Sequence, residues 1–268
     1  MRLGEYIDEL QTTGKLWFTK DQVLEELGCS KIALKRSLDR LAAKKRIVII
    51  RGKFVLVVPP EYRDWGIVPA DWFIDPLMQA FNLPYYIALL SAGQRHGAAH
   101  QKPMQFQVMT NQYLRPIKHG RIHIRFVEYS KMTRVPIQRI MVKTGYAMVS
   151  TPEATAIDLC KDYSASGYWS NIATVMAELL ESIDSNKLCQ LATGGIYDMP
   201  VIQRLGYVLD HPDVKGAAIA NDLYNAVKSK DHRWVPLNPR QKFIEELGPW
   251  KKDDKWKILI NEDIEADV

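Results

Sequence analysis

The chain of 268 residues has only three cysteines, Cys29, Cys160 and Cys189. The number is odd and no pair has C-x-x-C spacing, which excludes a disulfide framework or a zinc ribbon. Small buried apolar residues are the remaining reading. No apolar run reaches the roughly 18 residues of a membrane span. Met1-Arg2-Leu3-Gly4-Glu5 carries an acid where a secretion signal needs apolar residues, so a cytoplasmic location without membrane contact is expected. Neither a G-x-S-x-G motif nor a phosphate-cradling glycine loop is present, and Gly194-Gly195 is an isolated pair. Internal repeats and low-complexity tracts are absent as well. What is there is a globular composition, 47% hydrophobic and 25% charged, long enough for one large domain or two modest ones.

Charge is unevenly placed. The net charge is +5, and residues 1–58 account for all of it, with 12 Lys and Arg against 7 Asp and Glu. Residues 59–268 hold 24 of each. That zero is itself a cancellation, because residues 95–143 carry ten bases against the single acid Glu128, flanked by stretches of −3 and −6. The segment 95–143 either faces nucleic acid or pairs with acids of the later helices, and the pattern favours neither.

The first 58 residues read as three helices and a hairpin. Leu3, Tyr6, Ile7 and Leu10 recur at helical spacing, and the helix ends before Gly14. Thr19-Lys20-Asp21-Gln22 has the form of a capping box. The second helix stops at Gly28, and Ser30 caps a third two residues later, as in a helix-turn-helix. Along residues 31–44, Leu34, Leu38 and Leu41 share one face. Ile32, Arg36, Asp39 and Arg40 share the other, with Ala33 and Lys35 flanking. Two β-type runs, 47–50 and 54–58, enclose the basic turn Arg51-Gly52-Lys53. These features predict a winged helix-turn-helix. A helix entering the major groove needs donors on its outer face, which Ser30, Lys31, Lys35, Arg36 and Arg40 supply, while Ile32 suits a thymine methyl. Arg51 and Lys53 would hold the flanking backbone. A solvated basic face is the competing reading, but charge, turn and wing agree on DNA.

Beyond it, 59–70 reads as a proline-bounded linker and 71–268 as a larger domain. Residues 71–81 and 85–92 look helical. The runs 105–110, 121–129, 137–142 and 146–149 look like strands. Residues 151–227 look helical again, and 256–260 like a last strand. The predicted fold class is α+β: an N-terminal winged helix-turn-helix, then a mixed α+β domain with a mainly antiparallel sheet.

Catalytic patterns are weak. His96 and His100 stand at i and i+4, but Gly97 occupies the position where a zinc protease needs glutamate, so a structural pair is the simpler reading. Glu153, Asp158 and Lys161 can be set as a carboxylate–lysine nuclease site. However, Thr151-Pro152-Glu153 reads first as a helix start with the acid favourable in its first turn. No metal, cofactor or catalytic residue is expected.

Six blocks then carry a family resemblance. They are Trp72-Phe73-Ile74-Asp75-Pro76-Leu77-Met78, Tyr85-Tyr86-Ile87-Ala88-Leu89-Leu90-Ser91-Ala92 and His96-Gly97-Ala98-Ala99-His100-Gln101. Ser150-Thr151-Pro152-Glu153-Ala154-Thr155-Ala156-Ile157-Asp158-Leu159, Gln203-Arg204-Leu205-Gly206-Tyr207-Val208-Leu209, and Trp256-Lys257 with Asn261 follow. Together they resemble the AbiEi family of antitoxins, regulators from bacterial abortive-infection toxin–antitoxin systems that act in phage defence. The resemblance implies a non-enzymatic chain that binds inverted repeats in its own promoter and represses its operon. It also implies counteracting a nucleotidyltransferase-like toxin without a stable complex with it. Arg115, Lys118, Arg121 and Arg125 are then candidates for further contacts on bent DNA. A metal-dependent nuclease tethered by a winged helix and a ligand-sensing regulator are the alternatives.

Overall fold

A computed structural model describes residues 2–98, 103–241 and 250–265. They divide into two compact units, and residues 59–70, expected as a linker, fall inside the first, whose first break comes after Ile87. The first unit takes residues 1–87, 104–133 and 139–148, and the second takes 88–103, 134–138 and 149–268.

The first unit begins with α1 (Leu3–Thr12), β1 (Trp17–Thr19), α2 (Lys20–Leu27), α3 (Lys31–Ala43), β2 (Ile47–Ile50) and β3 (Phe54–Val57). The strands form an antiparallel sheet in the order β1-β3-β2. Caps place these helices. The Thr19 hydroxyl accepts from the Gln22 N–H at 3.3 Å while the Gln22 side chain accepts from the Thr19 N–H at 2.9 Å. Gly28 ends α2 in the left-handed region at φ 58°, where glycine pays no steric cost. Ile7, Phe18, Val23, Leu34, Leu38, Val55 and Val57 meet in one core, to which every one of these elements except β2's outer face contributes.

The same unit holds α4 (Ile74–Ala80) and most of a six-stranded sheet. Its strands are β4 (Tyr85–Ile87), β5 (Phe106–Thr110), β6 (Ile117–His119), β7 (Ile122–Glu128), β8 (Ile137–Val142) and β9 (Gly145–Ser150), in the order β6-β7-β5-β4-β9-β8. The pairs β4–β5 and β6–β7 are antiparallel, whereas β5 and β7 run parallel. The helix expected over 85–92 forms only from Leu89. Tyr85-Tyr86-Ile87 is instead a fully buried central strand, and Leu89 at φ 53° breaks the chain before α5 (Leu89–Arg95). An aromatic and β-branched triplet between a proline and a kink suits a strand better than a helix. The helix expected over 71–81 likewise begins only at Ile74, after a single 3₁₀ turn at Ala70–Trp72.

The second unit is mostly helical: α5, α6 (Pro152–Lys161), α7 (Tyr168–Leu179), α8 (Ser185–Thr193), α9 (Met199–Asp210) and α10 (Ala217–Val227). A small sheet of β10 (Val235–Pro236), β11 (Lys251–Asp253) and β12 (Ile258–Ile260) follows, in the order β10-β12-β11. Helix α6 is the hub. Thr151 caps it, Pro152 sits in its first turn, and residues 153–160 are all buried. Trp256 is fully buried against α9, where its indole N–H donates to Asp210 at 2.6 Å.

Candidate nucleic-acid interface

Helix α3 buries Leu34 and Leu38, at 4% and 1% exposure, and turns Lys31, Ile32, Lys35, Arg36, Asp39 and Arg40 to solvent. The Ser30 hydroxyl accepts from the Ala33 N–H at 3.2 Å and fixes the first turn. Ile32, 68% exposed among cations, has no fold-internal use for its side chain. Arg40 lies back along its own helix, donating to the Arg36 carbonyl and the Ser37 hydroxyl, both at 3.3 Å. Ser30, Lys31, Lys35 and Arg36 thus share one open face, with Asp39 as its sole acid.

The β2–β3 turn has positive φ at both Arg51 and Gly52, the backbone of a tight mirror-image hairpin turn. Its two cations are both engaged within the molecule. Lys53 faces Asp21 at 3.8 Å. Arg51 donates to the Arg115 carbonyl at 2.5 Å, and its guanidinium lies over the rings of Phe126 at 5.4 Å and Phe81 at 6.0 Å. Burial lowers the Arg51 pKa from its ordinary value, because desolvation disfavours the charged form. The β2–β3 turn is therefore tied to the larger sheet of its own unit. Nothing local in the sequence signals this tie, since its partners lie far along the chain.

Arg115, Lys118, Arg121 and Arg125 are all exposed around the β6–β7 hairpin. Pairing sets Lys118 opposite His123, and the alternation of β7 puts His123 and Arg125 on one face. Phe126, which carries Arg51, is on the other. Arg121 stacks on Trp65 at 5.5 Å, and a Cβ on Gly120 would stand 2.2 Å from the Trp65 carbonyl oxygen. The hairpin tip and the 59–70 segment are thus in close backbone contact, which only glycine at 120 permits. Two basic groups result: one around α3 and the β2–β3 turn, the other on the outer face of the β6–β7 hairpin.

The residues singled out for catalysis are not assembled. Glu153 accepts the Asp184 N–H at 3.0 Å, and Asp158, fully buried, accepts the Tyr197 hydroxyl at 2.9 Å. Lys161 pairs with Asp162 at 2.8 Å. His96 holds the Ser150 carbonyl through Nε2 at 2.8 Å, while His100 lies outside the described residues. Among the described residues no group of three or more His, Cys, Asp or Glu could hold a metal, and no helix is long and apolar enough to cross a membrane. A pocket of about 220 Å³ beside α6, lined by Glu153, Lys187 and Gln190, is smaller than the ~300 Å³ at which small-molecule sites begin. A larger open cleft of about 720 Å³ lies between α1 and α3, lined by both signs of charge, including Arg2, Asp8, Arg40 and Lys44.

Residues 86–211 match the family model of the AbiEi antitoxin C-terminal domain. No curated protein matches the chain. Among solved structures, the crystal structure of the RV2827C protein from Mycobacterium tuberculosis superposes with a TM-score of 0.66 at 14% identity. That likeness covers 94% of this chain and 89% of the other, and it concerns the fold.

Proposed function

We propose, from the premise that residues 86–211 belong to the AbiEi antitoxin family, that this antitoxin is a DNA-binding autorepressor of its toxin–antitoxin operon. On this reading the α1–β3 segment is a winged helix-turn-helix with α3 as its recognition helix, and it binds inverted repeats in the promoter in the cytoplasm. The toxin it counteracts is nucleotidyltransferase-like and is neutralised without a stable complex. No cofactor takes part and the chain is not an enzyme.

The exposed face of α3 carries the proposal. An isoleucine at 68% exposure between lysines and arginines is costly in water, and it suits a groove offering a thymine methyl beside phosphates. Ser30, Lys31, Ile32, Lys35 and Arg36 read or grip the groove. Arg40 joins them once it leaves its intrahelical bonds. In the wing Lys53 meets the backbone, and Arg51 acts by holding the wing in place.

A gel shift on the chain's own promoter tests this. Arg36→Ala is expected to weaken binding by about 1–3 kcal/mol, the worth of a bidentate base contact. Unchanged affinity would remove Arg36 from the reading face.

A further inference from the structure

Trp234, immediately before β10, is left 38% exposed, and two lysines lie over its ring. The Lys257 ammonium is 4.9 Å and the Lys252 ammonium 5.3 Å from the ring centroid. The ground beneath them is rigid. Gln203, 1% exposed, donates to the carbonyl of Arg233 at 2.9 Å and to that of Trp256 at 2.8 Å. These are the residues directly preceding Trp234 and Lys257, so one buried amide spends both its protons fixing the two halves of the cluster. The Val235 N–H donates to the Lys257 carbonyl at 3.0 Å and ties the halves together. Below, Trp256 packs so closely on α9 that a Cβ on Gly206 would stand 2.3 Å from its ring. Lys257 itself sits at φ 54°, a conformation unfavourable for a lysine.

The charge around the indole is also out of character with its surroundings. Residues 228–241 and 250–257 hold eight bases and three acids, within a stretch, 144–268, of net charge −6. Lys257 has Asp254 at 3.7 Å and Arg233 has Asp231 at 3.7 Å, both exposed pairs that water and salt weaken. For Lys252 no carboxylate lies within salt-bridge distance among the described residues. A solvated surface needs neither an exposed tryptophan nor a buried clamp to hold it between cations.

We propose that Trp234, with Lys252 and Lys257, is a stacking site for a base of single-stranded nucleic acid. A base lying on the indole displaces the two ammonium groups, and their flexible stems let them swing to the flanking phosphates. Duplex bases already stack on one another and offer no free face, so the site selects unpaired strands. RNA and DNA share this chemistry, and the probes below separate them. The site belongs to the second unit and the α3 face to the first, and the proposal does not depend on the promoter reading.

The test is fluorescence anisotropy of labelled 12-residue oligouridylate and oligothymidylate with the full chain. Trp234→Ala is expected to weaken at least one of them about tenfold, and Trp234→Phe to retain most of the affinity. Lys252→Gln with Lys257→Gln is expected to lower the slope of log K against log salt by about 1.4. None of these changes alters binding to the promoter duplex, and Arg36→Ala leaves oligonucleotide binding intact. Should Trp234→Ala lower the melting temperature, the lysine pair, which lies outside the buried core, decides. Absence of binding to both probes overturns the proposal, as does affinity within twofold in the Trp234→Ala and lysine variants, or an equal loss in Arg36→Ala.

Discussion

His96 shows how a residue that suggests chemistry in sequence can be spent on structure. A carbonyl only accepts, so the Nε2 atom 2.8 Å from the Ser150 oxygen carries the proton of that bond. Burial pulls the His96 pKa below its ordinary value, and the Ser150 carbonyl and the nearby Glu153 only partly oppose it. In the unfolded chain the ring returns to about 6.5. Below that pH the unfolded state binds a proton that the folded state refuses, so stability falls as pH drops from about 6.5 toward the folded-state value and is level above it. The loss is at most about 1.4 kcal/mol per pH unit for one proton. His96→Gln keeps an N–H donor and cannot titrate, so urea midpoints between pH 7 and pH 5 are expected to fall less steeply than in the parent. An identical acid slope would mean that His96 takes up its proton over the same pH range folded and unfolded. Glu153 and Asp158 tell the same story: each looks catalytic by type, and each bonds a fixed donor of its own unit.

At the scale of elements, the start of α3 is the critical boundary, because Lys31 and Ile32 sit in its first turn. The Ser30 hydroxyl satisfies one of the free N–H groups there, so Ser30→Ala is expected to cost about 1 kcal/mol and Ser30→Asp much less. Chemical denaturation followed by circular dichroism measures both; an alanine variant as stable as the parent would show that water serves the cap equally well. Such caps also explain which elements were legible in sequence. Thr19, Gly28, Ser30 and Pro152 mark their boundaries through local chemistry, and the helices begin or end where those residues stand. Strands of two or three residues carry no period to detect. Trp17–Thr19, Ile117–His119, Val235–Pro236 and Lys251–Asp253 exist because a partner strand completes them, and for that reason they leave no mark in the sequence. Tyr85–Ile87 reads as helix in sequence because a fully buried strand shows an unbroken apolar run, which periodicity cannot tell from a buried helix.

Across the whole molecule, the charge count exposed the two basic regions, but only the fold shows how they are joined. The three-helix segment and the hairpin of β6 and β7 fall in one compact unit, with Arg51 bound to the Arg115 carbonyl. The sequence held no sign of this, since a contact across 64 residues leaves no local pattern. The same geometry divides the secondary candidates. Lys118 of β6 and Arg125 of β7 project from the sheet face opposite Phe126, the ring on which Arg51 rests. On the proposed reading, DNA lying straight along α3 and the β2–β3 turn would not meet that face. Reaching it requires the duplex to bend around the sheet edge, at a cost of order 1–6 kcal/mol that the added phosphate contacts must offset. Each phosphate neutralised contributes about −0.9 to the slope of log K against log salt. If promoter DNA bends in this way, Lys118→Gln with Arg125→Gln makes the slope shallower by about 1.8 and reduces the bend seen in circular-permutation gel shifts. An unchanged slope and bend would confine the footprint to α3 and the wing, and the charge of the hairpin's outer face would then require another partner.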